Sequence, residues 1–386
     1  MKRILVISPV PTHPLIAGNR VRIHRLLTSL KELGHDVHFL YVNTEPERVD
    51  ENRMAECWRD RFYFVPYRYP KRSLRRYAGR LKFVFEKGFA EILPVDYAYD
   101  TSLDDFLVGL SRKIEFDVVM VEYIFWSRAL EHFHGNVLKI IDTHDVFTRR
   151  HLMYRKAGHE YRWYCTTAKE ETKALNRADI VIAIQEQEKD YFSTLIRKRV
   201  VTVGHIAPLH KLSAKSVTNN KILFLGSNNV HNAHGINYFI KEIFPDLRSA
   251  LPSVTLFLVG GVCNTVEDFD GCVKLGEVEN LSPVYDSVDL VVNPVQFSTG
   301  LSIKMIEALG HSKPVVATSL GSRGLEEGAN KAFLVADTAA EFSQSVMKVL
   351  TDARLSAQLS WAAYEFAEKR NKESLEGLAS VLNQSN

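Results

Sequence analysis

Apolar residues in this chain gather into short continuous runs, and between those runs they recur at three- and four-residue spacing. That alternation predicts buried strands separated by amphipathic helices. Residues 2–8 (KRILVIS) predict a strand, and residues 9–18 (PVPTHPLIAG), with three prolines, a loop opening a helix near Asn19. The helix carries Ile23, Leu26, Leu27, Leu30 and Leu33 on one side and stops at Gly34. Residues 36–42 (DVHFLYV) return as a strand, completing a βαβ unit with a parallel sheet and a crevice at its carboxyl ends. Residues 117–122, 138–142 and 179–184 add strands between helical stretches, so the first half is doubly wound. After a polar linker at residues 205–220 the pattern begins again. Strands are expected near 221–226, 254–261, 273–278 and 289–295, and a helical segment at 341–370.

The most informative stretch is 291–318 (VVNPVQFSTGLSIKMIEALGHSKPVVAT), which reads as strand, glycine turn, amphipathic helix and second strand. Asn293 and Pro294 end the apolar run. Ser298, Thr299, Gly300, Leu301 and Ser302 lead into a helix with Ile303, Ile306 and Leu309 on one face. A helix start presents unpaired amides and about half a positive charge, which suits phosphate oxygens, and Gly300 permits close backbone approach. Lys304 adds a full charge. Glu307, three residues on, is placed to accept hydrogen bonds from ribose hydroxyls. The same pattern also fits an ordinary loop-helix-strand unit with a solvated Lys/Glu pair.

Candidate chemistry changes this picture in three places. The first βαβ lacks G-x-G-x-x-G, which removes the main warrant for a nicotinamide oxidoreductase. Residues 142–145 (DTHD) end a strand at the expected crevice edge, and His144 between carboxylates suits proton transfer or donation near neutral pH. Glu122, ending the preceding strand, is a weaker candidate by the same geometry.

Charge is uneven. Residues 1–200 hold 34 Lys and Arg against 27 Asp and Glu, and the remainder 15 against 19. The surplus concentrates at residues 68–87, with eight basic residues and one acid, including Arg72, Arg75, Arg76 and Arg80, interleaved with Tyr69, Tyr77, Phe83 and Phe85. Such a segment fits an anionic membrane surface or a pyrophosphate-bearing lipid, or a solvated helical face. The modest net charge of +3 and the lack of a recognised motif argue against nucleic acid. The apolar run Ile4–Ile7 is too short for a signal peptide, and no run reaches the ~18 residues of a membrane span, so the expectation is cytoplasmic. Cys57, Cys165, Cys263 and Cys272 form no C-x-x-C pair, and neither structural zinc nor disulfides are expected.

The residues at 298–309 (STGLSIKMIEAL), 313–318 (KPVVAT) and 321–325 (GSRGL), supported by Phe224-Leu-Gly226, Gly260-Gly261 and residues 276–290, resemble the GT-B glycosyltransferases. The likeness is to the retaining family four, or glycosyl transferases group 1, in its surface-polysaccharide branch. It implies an α/β GT-B fold, two Rossmann-like doubly wound domains facing a central cleft. Residues 1–205 are expected to be the acceptor domain and 206–365 the nucleotide-sugar domain, with 366–386 a C-terminal helix packing back on the first.

By the resemblance, Glu307 matches the family's ribose-holding glutamate and His144 the histidine near the transferred sugar. Gly18 matches the glycine of the first loop, and Lys304 a lysine of the polysaccharide branch. Donor contacts are expected from Gly18, Gly226, Ser227, Asn228, His234, Thr299, Gly300, Leu301, Ser302, Lys304 and Glu307. The implied activity is retaining hexosyl transfer from a nucleotide-sugar to a glycan or lipid-linked acceptor at the inner face of the membrane, with no metal and no other cofactor. Two departures stand out. Thr299 occupies the position of the family's first glutamate, and Ser227 and His234 stand approximately where many relatives carry Arg and Lys. They leave a non-catalytic sugar-nucleotide-binding or scaffold subunit as the alternative.

Overall fold

The computed structural model describes residues 1–68, 92–161, 163–211, 219–297 and 300–383, and these divide into two compact units. The first comprises Met1–Pro14, Ile23–Gly204 and Leu375–Asn386, and the second Leu15–Arg22 and His205–Ser374.

In the first unit seven strands form one sheet: β1 (Arg3–Ser8), β2 (Asp36–Asn43), β3 (Phe62–Pro66), β4 (Val118–Glu122), β5 (Leu138–Asp142), β6 (Ile180–Ala183) and β7 (Arg199–Thr202). Their order is β3-β2-β1-β4-β5-β6-β7 and every pairing is parallel. Ile4, Leu5, Val6 and Ile7 are all fully buried, as a parallel sheet covered on both faces requires. The alternation rule thus found the central strands. It missed the edge strand Phe62–Pro66, which is only partly buried and closes on a proline tolerated at a sheet edge. Leu378, Val381 and Leu382 from the chain's last helix pack into this same core.

The second unit repeats the plan with six parallel strands: β8 (Lys221–Leu225), β9 (Thr255–Val259), β10 (Cys272–Gly276), β11 (Leu290–Asn293), β12 (Val315–Ala317) and β13 (Leu334–Val335). Their order is β10-β9-β8-β11-β12-β13. The single helical segment predicted at 341–370 is two helices, Ala339–Thr351 and Ala353–Leu382. Asp352 separates them. Its backbone leaves the helical region (φ −107°, ψ 96°), and its carboxylate accepts the amides of Arg354 and Leu355 at 3.0 Å each, capping the second helix.

The described part of the predicted linker is packed into the second unit. Asn371 bonds both the amide of Ala207 (2.9 Å) and its carbonyl (2.7 Å), and the His210 amide donates to the Gly310 carbonyl at 2.8 Å. In each sheet the winding direction reverses once, at β1/β4 and at β8/β11. Ligands of open α/β sheets bind at the carboxyl edge of such reversals. No helix among the described residues is long and apolar enough to cross a membrane.

Candidate functional site

β8 and β11 are hydrogen-bonded neighbours, and each is followed by a loop and a helix, Val230–Tyr238 and Ile303–Gly310 respectively. Two helix N-termini therefore meet at the reversal point. After β11, Gly300 lies in the left-handed region (φ 72°), a conformation glycine adopts without steric cost. Leu301 turns inward and is buried. Ser302 is the helix N-cap residue but makes no side-chain cap bond, and its hydroxyl accepts from Asn293 Nδ2 at 3.2 Å. Among the described residues, then, no N-cap side chain accepts from the first-turn amides.

Lys304 extends from this turn toward the β8 loop. Its Nζ donates to Asn232 Oδ1 at 2.7 Å and sits 4.4 Å from the centroid of the Phe224 ring. Asn232 is itself fixed, because its Nδ2 donates to the Ser227 carbonyl at 3.1 Å, which turns Oδ1 toward the lysine. Asn229 caps the helix by accepting the Asn232 amide at 2.9 Å and donates to the Ser227 hydroxyl at 2.8 Å. No carboxylate pairs with Lys304 among the described residues. Burial without an opposite charge pushes its ammonium down to about 7. An anion arriving here would supply the missing charge.

Of the other residues expected to contact a donor, Gly226, Asn228 and Gly18 pack near the β8 loop and the start of the Ile303–Gly310 helix. Gly226 follows β8, and Gly260 approaches it so closely that a Cβ on Gly260 would lie 2.4 Å from the Gly226 carbonyl oxygen. Asn228 packs beside Gly261, whose Cβ would stand 3.1 Å from the Asn228 amide. Gly18, in the segment that packs with the second unit, lies against the helix start, 3.3 Å from Ile303 Cβ to a Cβ built on the glycine. His234 points elsewhere, its Nε2 on Gln296 Oε1 at 2.9 Å and its ring edge-on to Phe297. Thr299 and the basic residues Arg72, Arg75, Arg76 and Arg80 lie outside the described residues.

Glu307 is buried and engaged. Its Oε1 meets His205 Nε2 at 2.9 Å, so one carboxylate oxygen is already held by a residue of the predicted linker. Nearby, the phenol of Tyr285 is raised well above its ordinary value by complete burial and then by the charge of Glu307.

His144 belongs to the first unit. β4 and β5 are paired so that Glu122 stands opposite Asp142, and His144 lies two residues past Asp142 at the same edge. Its Nε2 meets Glu122 Oε2 at 2.5 Å and lies 3.9 Å from Asp142 Oδ2. Tyr123 stacks on the imidazole with centroids 4.1 Å apart. Tyr123 (φ 70°) and His144 (φ 62°) both have left-handed backbone, which costs non-glycine residues energy and concentrates at functional sites.

A family model for glycosyl transferases group 1 matches residues 219–352, which contain the network of Ser227, Asn232, Lys304 and Glu307. That match lies wholly within the second unit. A Klebsiella pneumoniae chain described as an uncharacterized 44.6 kDa protein in cps region is 21% identical over 394 residues, spanning 96% of each chain. Sucrose-phosphate synthase from Thermosynechococcus elongatus aligns over 100% of this chain and 99% of its own, at TM-score 0.70 and 13% identity. A mutant of TarM from S. aureus, in complex with Fondaparinux, alpha-GlcNAc-glycerol and UDP, aligns over 100% of both chains at TM-score 0.71 and 10% identity. Both structures share the GT-B fold with this chain, as the two parallel sheets expected from the sequence require.

Within the second unit, sequence reasoning found Lys304 and Glu307 but not their partners Asn232 and His205. An asparagine three residues past a helix cap and a histidine at a linker carry no motif. Their meaning comes only from β8 lying beside β11 and from the linker folding onto the Ile303–Gly310 helix.

Proposed function

We propose that this chain transfers a sugar from a nucleotide-sugar donor to a glycan or lipid-linked acceptor, with retention of configuration, in surface-polysaccharide or glycolipid assembly on the cytoplasmic side. The observation that carries the reading is Lys304, a partly buried cation without a carboxylate partner, beside an uncapped helix turn at a strand-order reversal. Such a place stabilises negative charge that grows as a diphosphate departs. In the reaction the bond between the anomeric carbon and the diphosphate oxygen breaks, with its electron pair moving to the phosphate. The acceptor hydroxyl oxygen bonds to the same carbon, and its proton goes to a departing phosphate oxygen. Lys304 and the first-turn amides supply the positive charge, so we propose that the reaction needs no metal. Glu307, oriented by His205, holds the ribose, and His144 acts on the transferred sugar. The Klebsiella pneumoniae relative's place in a cps region supports the polysaccharide setting. The membrane contact assigned to residues 68–87 is tested by liposome co-sedimentation, which should weaken with salt and on neutralising Arg72, Arg75 and Arg76.

The test is calorimetric titration with UDP, the nucleotide of the TarM complex, followed by GDP, dTDP and CMP. Wild type should bind one of these, and Lys304→Ala should weaken it by tenfold or more, in line with the loss of about 1.5–3 kcal/mol for a charge-assisted bond. Equal binding by both proteins would defeat the site assignment. Ser227, which accepts from Asn229, and His234, held on Gln296, do not bring the fixed positive charge of the Arg and Lys that many relatives carry there, which favours the second reading, a subunit that binds the nucleotide-sugar without turning it over. Hydrolysis or transfer of any donor excludes that reading.

A further inference from the structure

Three residues far apart in the sequence converge in the first unit without any part in the sugar chemistry. His13 lies in the proline-rich loop after β1, His24 in the helix Gly18–Glu32 and Cys57 near the end of the helix Glu51–Trp58. One nitrogen from each histidine and the thiol sulfur lie within 4.8 Å of one another. Cys57 Sγ is 4.0 Å from His24 Nε2, and the two imidazoles meet edge to face with centroids 5.2 Å apart.

We propose that His13, His24 and Cys57 bind a soft transition-metal ion of the Zn2+ class, which fastens the loop after β1 to these two helices. The donor set decides the class. Two imidazoles and a thiol, with no carboxylate among them, select Zn2+ or a similarly soft cation over Mg2+ or Ca2+. Bonds of about 2.0 Å to nitrogen and 2.3 Å to sulfur need the ligating atoms roughly 3.5 Å apart, so separations of at most 4.8 Å have about an ångström to close.

A second, independent feature is the shell behind the ligands. His13 Nδ1 meets Thr12 Oγ1 at 3.1 Å, and that hydroxyl also accepts from Trp58 Nε1 at 2.9 Å. Fixing one imidazole nitrogen in this way orients the other, the arrangement typical of metal-bound histidine. The His13 carbonyl accepts the Asp50 amide at 3.2 Å, tying the loop to the start of the Cys57 helix. Electrostatics agree in direction. Burial, then His13, Arg25 and Lys31, bring His24 down to about 4, so at neutral pH its imidazole is uncharged and its lone pair is available. Burial holds Cys57 as a thiol, and Lys31 opposes this. Metal binding would displace the thiol proton to solvent.

The experiment uses the full chain stripped with chelator and titrated with Co2+, a spectroscopic substitute for Zn2+. Wild type should give one equivalent of binding with a thiolate-to-cobalt charge-transfer band in the near ultraviolet, bleached by Zn2+ and unaffected by Mg2+. Cys57→Ser should lose the band, and His24→Asn should bind about tenfold or more weakly. Circular dichroism checks that both variants fold. Zn2+ should raise the thermal midpoint of wild type and leave that of Cys57→Ser unmoved. Absence of the band in wild type overturns the proposal. So does a band that survives in Cys57→Ser, which would place the metal on Cys165, Cys263 or Cys272, or a Zn2+ shift shared by wild type and variant. None of these readings depends on sugar transfer.

Discussion

The carboxyl edges of the two sheets carry opposite electrostatic arrangements. At the first, His144 lies among carboxylates, Glu122 at 2.5 Å and Asp142 at 3.9 Å. At the second, Lys304 has an amide oxygen and an aromatic face but, among the described residues, no acid. The first arrangement holds an imidazole between carboxylates. The second lacks an anion, and cation–π and amide contacts offset only part of the cost of holding an ammonium out of water. A fold that keeps such a lysine gains from it when a ligand brings the negative charge. On this contrast rests our proposal that the second edge binds a phosphate group and the first orients a reacting group.

The largest effect should come from breaking the second edge. Lys304→Ala removes the one full positive charge of the network, and donor turnover per encounter, kcat/KM, should fall by about a hundredfold to a thousandfold. Lys304→Arg keeps the charge but brings a planar fork where Asn232 and Phe224 accommodate a single ammonium, so it should recover only part of the loss. Full activity in Lys304→Ala would reverse the assignment of the two edges.

The first edge should respond differently. Glu122→Gln keeps the size of the side chain but removes the charge and makes the group at His144 Nε2 either a donor or an acceptor. The imidazole is then no longer held in one tautomer. The expected result is a drop in kcat of about tenfold to a hundredfold, measured beside nucleotide affinity that stays at the wild-type value. A loss of nucleotide affinity equal to the loss of kcat would mean that Glu122 supports the donor rather than the reacting sugar.

How much of this was legible in the sequence follows from what each element depends on. The central strands announce themselves, since residues 4–7, 118–121 and 140–141 are buried on both faces and must be continuously apolar. The helix start at Ser302 was equally clear from Gly300 and the spacing of Ile303, Ile306 and Leu309. Phe62–Pro66 was not, because an edge strand needs no such run, and Asp352 hid inside an apparently continuous helical pattern. Lys304 and Glu307 stood out as charges on an apolar helix. Asn232, His205 and the meeting of His13, His24 and Cys57 did not, because those contacts are set by which strands and helices are neighbours rather than by sequence spacing.

Acidity offers a sharper, smaller effect. Lys304 stands at about 7 in the protein and near 10.5 when unfolded, so between those values the unfolded chain holds one more proton. Stability of the free protein should therefore rise with pH across that window, and Lys304→Met should flatten the rise. Binding runs the other way. A diphosphate favours the ammonium, so complex formation above pH 7 should take up a proton, and affinity should fall by at most about tenfold per pH unit until the bound-state value is passed. Titration calorimetry at pH 8 in buffers of different ionisation enthalpy measures that uptake. Equal uptake by wild type and Lys304→Met would assign the proton to the nucleotide alone.

The smallest expected change tests how the lysine is held. Asn232 donates to the Ser227 carbonyl and accepts from Lys304, so it fixes the direction of the ammonium without supplying charge. Asn232→Ala should cost nucleotide affinity about 1 kcal/mol, close to fivefold, the usual net value of one hydrogen bond. Asn232→Asp is the more discriminating change. It places a carboxylate where none stands, restores to Lys304 an ordinary ion pair and raises its proton affinity, and it sets a negative charge beside the arriving phosphates. If Lys304 serves the donor, Asn232→Asp should bind nucleotide more weakly than Asn232→Ala while unfolding at a higher temperature. Tighter binding in Asn232→Asp would mean that the missing acid at this edge is an accident of packing rather than room for a ligand's charge.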